Sequence, residues 1–287
     1  MPILEVRNLT HSYSSNKAFV NDALNNVSLS IEQGEIVGII GHTGSGKSTL
    51  VQHLNGLLKP TSGNVLFEDG DIWENPKDIR RIRSKVGLVF QYPEYQLFEE
   101  TVYADIAFGP KNMGLTDTEL ETRVKETCAL VGVRDELLQK SPFDLSGGEK
   151  RRVAIAGVMA MKPQVIVFDE PTAGLDPQGR EVVIRMIHDY RKAVNATVLI
   201  VSHSMEDMAV ITDKLAVLNN GSLYMFDTVG NVFSKGGELR EIGLNVPIVT
   251  RIFDALKTAG VSVPDDVFTI DRAIEVLTAL KAGENGA

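Results

Sequence analysis

Cysteine is almost absent. Cys128 is the single one among 287 residues, so no internal disulfide can form and no cysteine cluster exists to hold zinc. Such a residue reads as a small buried apolar side chain in a reducing compartment. Long hydrophobic runs are missing too: the stretches around 153–161 and 36–40 fall far short of the ~20 residues that cross a bilayer. The first residues, Met1 to Arg7, lack a basic-then-apolar leader pattern, and the expectation is a chain that stays in the cytoplasm, free to dock onto a membrane protein. Basic residues are in the minority. The 29 Lys and Arg against 38 Asp and Glu leave a net charge of -9, which repels a phosphate backbone and argues against nucleic acid as a partner. Neither sustained heptads nor internal repeats nor low-complexity stretches are present. What remains, 43% hydrophobic and 23% charged residues, is ordinary globular composition, with room for one large or two modest domains.

The first forty residues alternate short β-type runs with turn signals: Ile3 to Val6, Leu24 to Ile31, then Glu35 to Ile40 after the turn at Gln33-Gly34. The third run is nearly all apolar, as are Val165 to Phe168 and Thr197 to Val201, which is the pattern of strands buried on both faces of a parallel sheet. Helical spacing fills the gaps: Leu50, Leu54, Leu57 and Leu58 after the third strand, and a long stretch from Arg180 to Val194. The alternation predicts an α/β core built from crossover units. Residues ~92–160 carry helical spacing (Leu120, Val124, Cys128, Val131) and few strand runs, predicting a helical subdomain inserted into the sheet domain. Asn219-Asn220-Gly221-Ser222 reads as a hairpin turn. Beyond Gly236-Gly237 the tail shows helical spacing at Ile248, Ile252, Phe253 and Leu256, then at Ala273, Ile274, Leu277 and Leu280, which serves either packing on the core or a dimer contact.

Chemistry is concentrated at the ends of the buried strands. Gly41-His42-Thr43-Gly44-Ser45-Gly46-Lys47-Ser48, followed by Thr49, fits the phosphate-binding loop pattern and lies between a buried strand and a helix, as that mechanism requires. Its glycines let backbone N–H groups curl around phosphate oxygens, Lys47 reaches the β and γ phosphates, and Ser48 offers a hydroxyl to Mg²⁺. Asp169 and Glu170 end another buried strand at the carboxyl edge of the sheet, where open α/β folds bind ligands. Neighbouring strand residues point to opposite sides, so Asp169 can hold Mg²⁺ while Glu170 polarises a water as general base. Leu145-Ser146-Gly147-Gly148-Glu149 puts a hydroxyl and two small residues at a helix N-terminus, a second anion-friendly position.

These stretches, with Ala173-Gly174-Leu175-Asp176, occur in the order seen in ATP-binding-cassette ATPases, and the resemblance covers residues ~3–230. It implies an α/β fold: a P-loop NTPase core sheet with an N-terminal antiparallel β subdomain, an inserted helical subdomain, and a small C-terminal helical extension. The implied division is an ATPase domain over 1–235 and an extension over 236–287. Carried over residue by residue, the family pattern makes Tyr13 the aromatic that stacks on adenine and Gln91 the loop glutamine that senses Mg²⁺ and the attacking water. His203 becomes the switch histidine at the γ-phosphate, orienting Glu170. His11, His42, His53 and His188 receive no catalytic role. The resemblance also implies two chains, identical or related, closed head to tail with ATP between the phosphate loop of one and Ser146-Gly147-Gly148-Glu149 of the other, and with Asp176 at the interface. Glu149 departs from the glutamine commoner in the family, keeping a carbonyl-type acceptor and losing an amide donor.

Within that family, Gln91 to Val102 and Ala107 to Asn112 closely resemble the ATPases of energy-coupling-factor transporters, which import vitamins and transition-metal ions, as do Lys150 to Gly157 and the C-terminal extension. The likeness is greatest to the second of their two ATPase subunits. It implies a related ATPase partner, a transmembrane coupling subunit, substrate-binding membrane subunits, and a place on the cytoplasmic face of the membrane. Tyr92, Tyr95, Leu97 and Phe98 are many large apolar groups for one loop, and are expected to form a groove for a coupling helix, the alternative being packing within the helical subdomain; Glu94, Glu99 and Glu100 either pair with basic residues on that helix or are solvated. An ATPase subunit of another importer would share the ATP motifs and differ in this segment; a soluble ATPase of the family is the remaining reading.

Overall fold

The computed structural model describes residues 2–16 and 19–284. In chain order the strands are β1 (Pro2–Asn16), β2 (Phe19–Glu32), β3 (Ile36–Ile40), β4 (Ser62–Phe67), β5 (Gly70–Asp71), β6 (Val86–Val89), β7 (Val165–Asp169), β8 (Thr197–Val201), β9 (Lys214–Asn219) and β10 (Ser222–Thr228). The helices are α1 (Lys47–Leu54), α2 (Ile79–Lys85), α3 (Val102–Asn112), α4 (Asp117–Val131), α5 (Gly147–Met159), α6 (Pro177–Val194), α7 (Met205–Ile211), α8 (Val229–Phe233), α9 (Gly236–Glu241), α10 (Ile248–Thr258) and α11 (Ile270–Glu284).

Two sheets result. One is antiparallel with order β2-β1-β4-β5; the other has order β10-β9-β3-β8-β7-β6, parallel except for β10. The two-residue alternation of a strand decides where the core side chains go. Ile36, Ile40, Ile166, Phe168, Val198, Ile200, Leu215 and Val217 join a cluster with residues of α3 to α6. Their neighbours Val37, Ile39, Val165, Val167, Leu199, Val201, Ala216 and Leu218 join a second cluster with the antiparallel sheet and α1. The parallel sheet is thus covered on both faces, which is why its strands read as unbroken apolar runs.

Between β6 and β7 the chain forms α3, α4 and α5. Ser146–Glu149 and Thr116–Glu119 are capping boxes at the starts of α5 and α4, and α4 buries Leu120, Val124, Cys128 and Val131 as the spacing predicts. Burial pushes the Cys128 thiol up to about 11, so it stays an inert apolar group. The β9–β10 hairpin turns through Asn220 and Gly221, both at positive φ (47° and 77°), the type I′ geometry that an Asn-Gly pair favours. Its tip braces other elements: Gly221 N–H donates to the Ser45 carbonyl at 3.1 Å, and Asn25 N–H donates to the Gly221 carbonyl at 2.8 Å.

Two periodicity readings are corrected. The four-leucine stripe is really two, because α1 ends at Leu54: the Asn55 side chain donates to the Val86 carbonyl, and Gly56 turns the chain at φ +71°, leaving Leu57 exposed. In α11 the buried face is Ala273 and Val276, packed with Phe253 and Val267, while Ile274 and Leu277 face outward. The expected stripe mixed a buried with an exposed face, since residues one apart on a helix sit about 100° apart.

Candidate active site

The phosphate loop hangs between β3 and α1. Its geometry depends on glycine at Gly46, whose φ is +100° and where a Cβ would meet the Ala23 carbonyl oxygen at 2.5 Å. Lys47 is buried and its ammonium donates to the Gly41 and His42 carbonyls at 2.7 and 2.9 Å. Desolvation lowers its pKa, opposed by the charges of Glu170 and Asp169, so the three groups share one electrostatic environment. Ser45 Oγ is buried with no partner among the described residues, a donor held where an anion would take it. Thr43 and Gly44 are exposed at the loop's tip, and the His42 ring lies between the Thr43 carbonyl (2.8 Å) and the Asn219 side-chain amide (3.2 Å).

Opposite the loop stands the end of β7. Asp169 is partly buried, and desolvation raises its pKa, opposed by the Ser48 hydroxyl and the Lys47 ammonium. Serine hydroxyl and carboxylate are hard oxygen donors of the kind Mg²⁺ prefers, and that donor set at the end of β7 beside the phosphate loop fits the ion. Among the described residues there is no cluster of three or more His, Cys, Asp or Glu for a metal.

Glu170 follows Asp169 in the left-handed region at φ 52°, a conformation uncommon outside glycine and asparagine, and its N–H donates to the Val201 carbonyl at 2.9 Å. The bend lifts its side chain off the sheet toward His203, whose Nε2 lies 3.3 Å from Glu170 Oε1. Burial pushes the Glu170 carboxyl up to about 7, against the pull of the His203 backbone N–H and with Asp169 adding repulsion. His203 is half exposed and its pKa is lowered by desolvation and by Lys47, so the imidazole is neutral at pH 7. A carboxylate whose pKa lies near neutral pH, beside a neutral imidazole and within the field of the phosphate-loop lysine, is suited to taking a proton from water when ionised.

Tyr13 near the end of β1 is 47% exposed; its hydroxyl is 3.3 Å from Thr49 Oγ1 and its ring sits edge-on to His11, 4.6 Å between centroids. Gln91 is exposed two residues past β6, whose Val89 pairs with Phe168 just before Asp169. The signature stretch lies elsewhere on the chain surface: Ser146, Gly147 and Gly148 are exposed at the start of α5, and Glu149 folds back on Ser146. Asp176 is exposed and caps α6, accepting from Gly179 N–H at 2.7 Å.

A brace behind the site escaped sequence reading. Buried Asp207 accepts from Arg180 at 2.6 Å and from the Thr172 hydroxyl at 3.0 Å, and Arg180 also donates to Ser204 at 2.8 Å, tying the segments after Glu170 and His203 together. Its partners are 24–35 residues apart, so no local pattern marks them.

A cavity of about 980 Å³ opens beside the helical region, lined by Arg80, Arg81 and Arg83, by Phe98, Phe108, Met113 and Met161, and by buried Asp105. Of the four expected groove residues, Leu97 and Phe98 line it, Leu97 as a core side chain 9% exposed and Phe98 as an exposed one packed edge-on to Phe108. Tyr92 and Tyr95 stand outside it as a tilted pair, Tyr95 85% exposed. Glu94, Glu99 and Glu100 do not line it either; its charged wall is mostly basic.

The comparisons with known proteins agree with this geometry. A family model described as "ABC transporter" matches residues 24–173. The chain is 49% identical to the energy-coupling factor transporter ATP-binding protein EcfA2 of Clostridium perfringens, covering 98% of this chain and 99% of that one. It is 48% identical to the protein of the same name from Caldanaerobacter subterraneus, covering 99% and 100%. Among solved structures, cbiO1 of Clostridium perfringens, described as part of the ABC transporter complex cbiONQ, superposes with a TM-score of 0.75 at 36% identity, over 89% of this chain and 99% of that one. The dimeric, post-hydrolysis ATP-binding cassette MJ0796 bound to ADP and Pi superposes with a TM-score of 0.71 at 27% identity, over 79% and 98%. A phosphate loop facing a carboxylate–histidine pair, together with near full-length identity of this order, establishes that the chain belongs to the energy-coupling-factor transporter ATP-binding proteins, a branch of the ABC transporter ATPases.

Proposed function

We propose that this ATPase energises uptake of vitamins or transition-metal ions by closing head to tail with a second ATPase subunit, related or identical, at the cytoplasmic face of the membrane. The observation that carries the chemistry is the 3.3 Å approach of His203 to Glu170 at the edge of the sheet bearing the phosphate loop. ATP binds with its phosphates against Gly41 to Thr49, Lys47 meeting the β and γ oxygens and Tyr13 offering a ring to the adenine. Ser48 and Asp169, with Gln91 alongside, would hold Mg²⁺, which when bound neutralises phosphate charge. Glu170 takes a proton from the attacking water, and His203 orients it and contacts the γ-phosphate. Ser146, Gly147, Gly148 and Glu149 complete the partner's site, and Asp176 links the two.

The exposure of Ser146 to Gly148 supports this arrangement, since a hydroxyl and free N–H groups at a helix start suit a phosphate brought from outside the chain. Binding of ATP favours the closed pair, hydrolysis and release favour the open one, and a helix of the membrane coupling subunit follows. The cavity at Phe98 and Phe108 is the docking place for that helix, with Tyr92 and Tyr95 at its approach; its basic wall calls for acidic groups on the incoming helix. The outward apolar side chains Ile248, Ile252, Ile270, Ile274 and Leu277 make the C-terminal extension a second contact between ATPase subunits.

The test is affinity capture of the tagged chain from gently solubilised native membranes. Recovery of a related ATPase, a transmembrane coupling subunit and small substrate-binding membrane proteins is the expected result. Recovery of a conventional permease pair, or of soluble partners alone, overturns the import reading and leaves the ATPase chemistry standing.

A further inference from the structure

The signature stretch carries a carboxylate where the head-to-tail reading brings a phosphate. Glu149 Oε2 accepts from Ser146 N–H at 3.0 Å and from the Ser146 hydroxyl at 2.7 Å, while Ser146 Oγ accepts from Glu149 N–H at 3.4 Å. The single hydroxyl proton of Ser146 is therefore committed to a full negative charge, in a charge-assisted bond stronger than an amide oxygen would make. These hydrogen bonds hold the Glu149 carboxyl at about 2, so it is ionised throughout the working range. If Ser146 meets the γ-phosphate of ATP on the partner, as the head-to-tail reading requires, an unneutralised Glu149 would repel that phosphate from within the same helical turn.

Partial neutralisation comes from Arg134, in the segment between α4 and α5, a cation that Glu149 shares with Glu136. Its Nη2 lies 3.1 Å from Glu149 Oε1, the carboxylate oxygen that Ser146 leaves free, and its Nη1 pairs with Glu136 Oε1 at 2.7 Å. Glu149 is mostly covered, its side chain 19% exposed, whereas the Arg134 side chain is 65% exposed and reaches it from the solvent side. The geometry points to Arg134 as a positioning residue that acts through Glu149, screening its charge and fixing its carboxylate so that less negative charge faces the phosphate brought to this helix start by the opposing subunit. Arg134 itself touches no reacting atom in this account, and the inference rests on the head-to-tail reading above.

The experiment uses the transporter complex purified from native membranes, with substitutions in this chain alone, and reads KM for ATP and kcat separately. Arg134→Ala is expected to raise KM about three- to fivefold, the scale of a partly exposed ion pair, with kcat changed by less than about twofold. Arg134→Lys is expected to retain wild-type KM to within about twofold, because the charge is kept. In a Glu149→Gln background Arg134→Ala should have no effect on KM, since no carboxylate is left to screen. Raising salt should shrink the Arg134→Ala effect in the Glu149 protein. An equal KM rise in both backgrounds would show that Arg134 matters only to packing and overturns the inference, as would an unchanged KM in Arg134→Ala. A separate measurement guards the underlying reading: Ser146→Arg in this chain should abolish ATP-driven association of the subunits. Full association despite that substitution would overturn head-to-tail closure, and the inference with it.

Discussion

The two halves of the phosphate chemistry are built differently within one chain. The phosphate-loop half is enclosed: Gly41, Ser45 and Lys47 are buried, Lys47 is tied to two carbonyls, and Glu170 and His203 are braced from behind through Asp207. The signature half is open, with Ser146, Gly147 and Gly148 exposed and their neighbour Glu149 held by a surface arginine. The contrast teaches where each half finds its ligand. A desolvated site raises the Glu170 pKa and depresses that of Lys47 before any nucleotide arrives, so its electrostatics are preorganised. An exposed helix start keeps its phosphate-facing groups in water and gains strength only when a second surface covers it.

Breaking the enclosed half should therefore cost most. Glu170→Gln is expected to lower ATP turnover by about 10²–10⁴-fold while leaving ATP bound, as measured by phosphate release and nucleotide retention. Turnover near the wild-type rate would remove Glu170 as the base. Lys47→Ala should weaken ATP binding by about tenfold or more, read by titration with a fluorescent nucleotide.

Within the Tyr92–Phe98 segment the same contrast recurs. Leu97→Ala should destabilise the fold by about 2–4 kcal/mol in urea unfolding, because the side chain is in the core, whereas Tyr95→Ala should change stability by less than about 0.5 kcal/mol. If Tyr95→Ala also fails to weaken capture of membrane subunits, the approach to the cavity does not include it.

The smallest effects are in pH. Turnover should rise through an acidic limb near pH 7 as Glu170 ionises, a limb absent from any residual activity of Glu170→Gln. For stability the sign is opposite. The folded pKa of Glu170 lies above its ordinary value, so the favourable contribution is fully present below about 4.5 and is lost as pH rises through about 7. Glu170→Gln, which cannot ionise, should melt about 2–4 °C above wild type at pH 8 and close to it at pH 5, a modest shift because the group is partly solvated.

Much of this was legible beforehand for particular reasons. Gly41 to Ser48 declare themselves because a phosphate cradle needs glycines, a lysine and a hydroxyl within eight consecutive residues. The buried strands ending at Ile40, Phe168 and Val201 declare themselves because a covered parallel sheet leaves no polar alternation. Helix faces were less legible: Ile274 beside Ala273 and Leu57 after Leu54 fit an apolar spacing yet face outward, since periodicity does not say where a helix stops or what covers it.

The sequence alone determined the elements whose chemistry is local: the phosphate loop, the carboxylate pair at a strand end, the serine at a helix start, and the Asn-Gly hairpin. Tertiary structure decided everything that depends on meeting across distance. It set Glu170 against His203, joined Asp207 to Arg180 and Thr172, put arginines rather than glutamates around the cavity, and brought Arg134 to Glu149. The physical reason is that a side chain's identity fixes what it can bind, while its burial and its long-range neighbours fix its charge state and its partner.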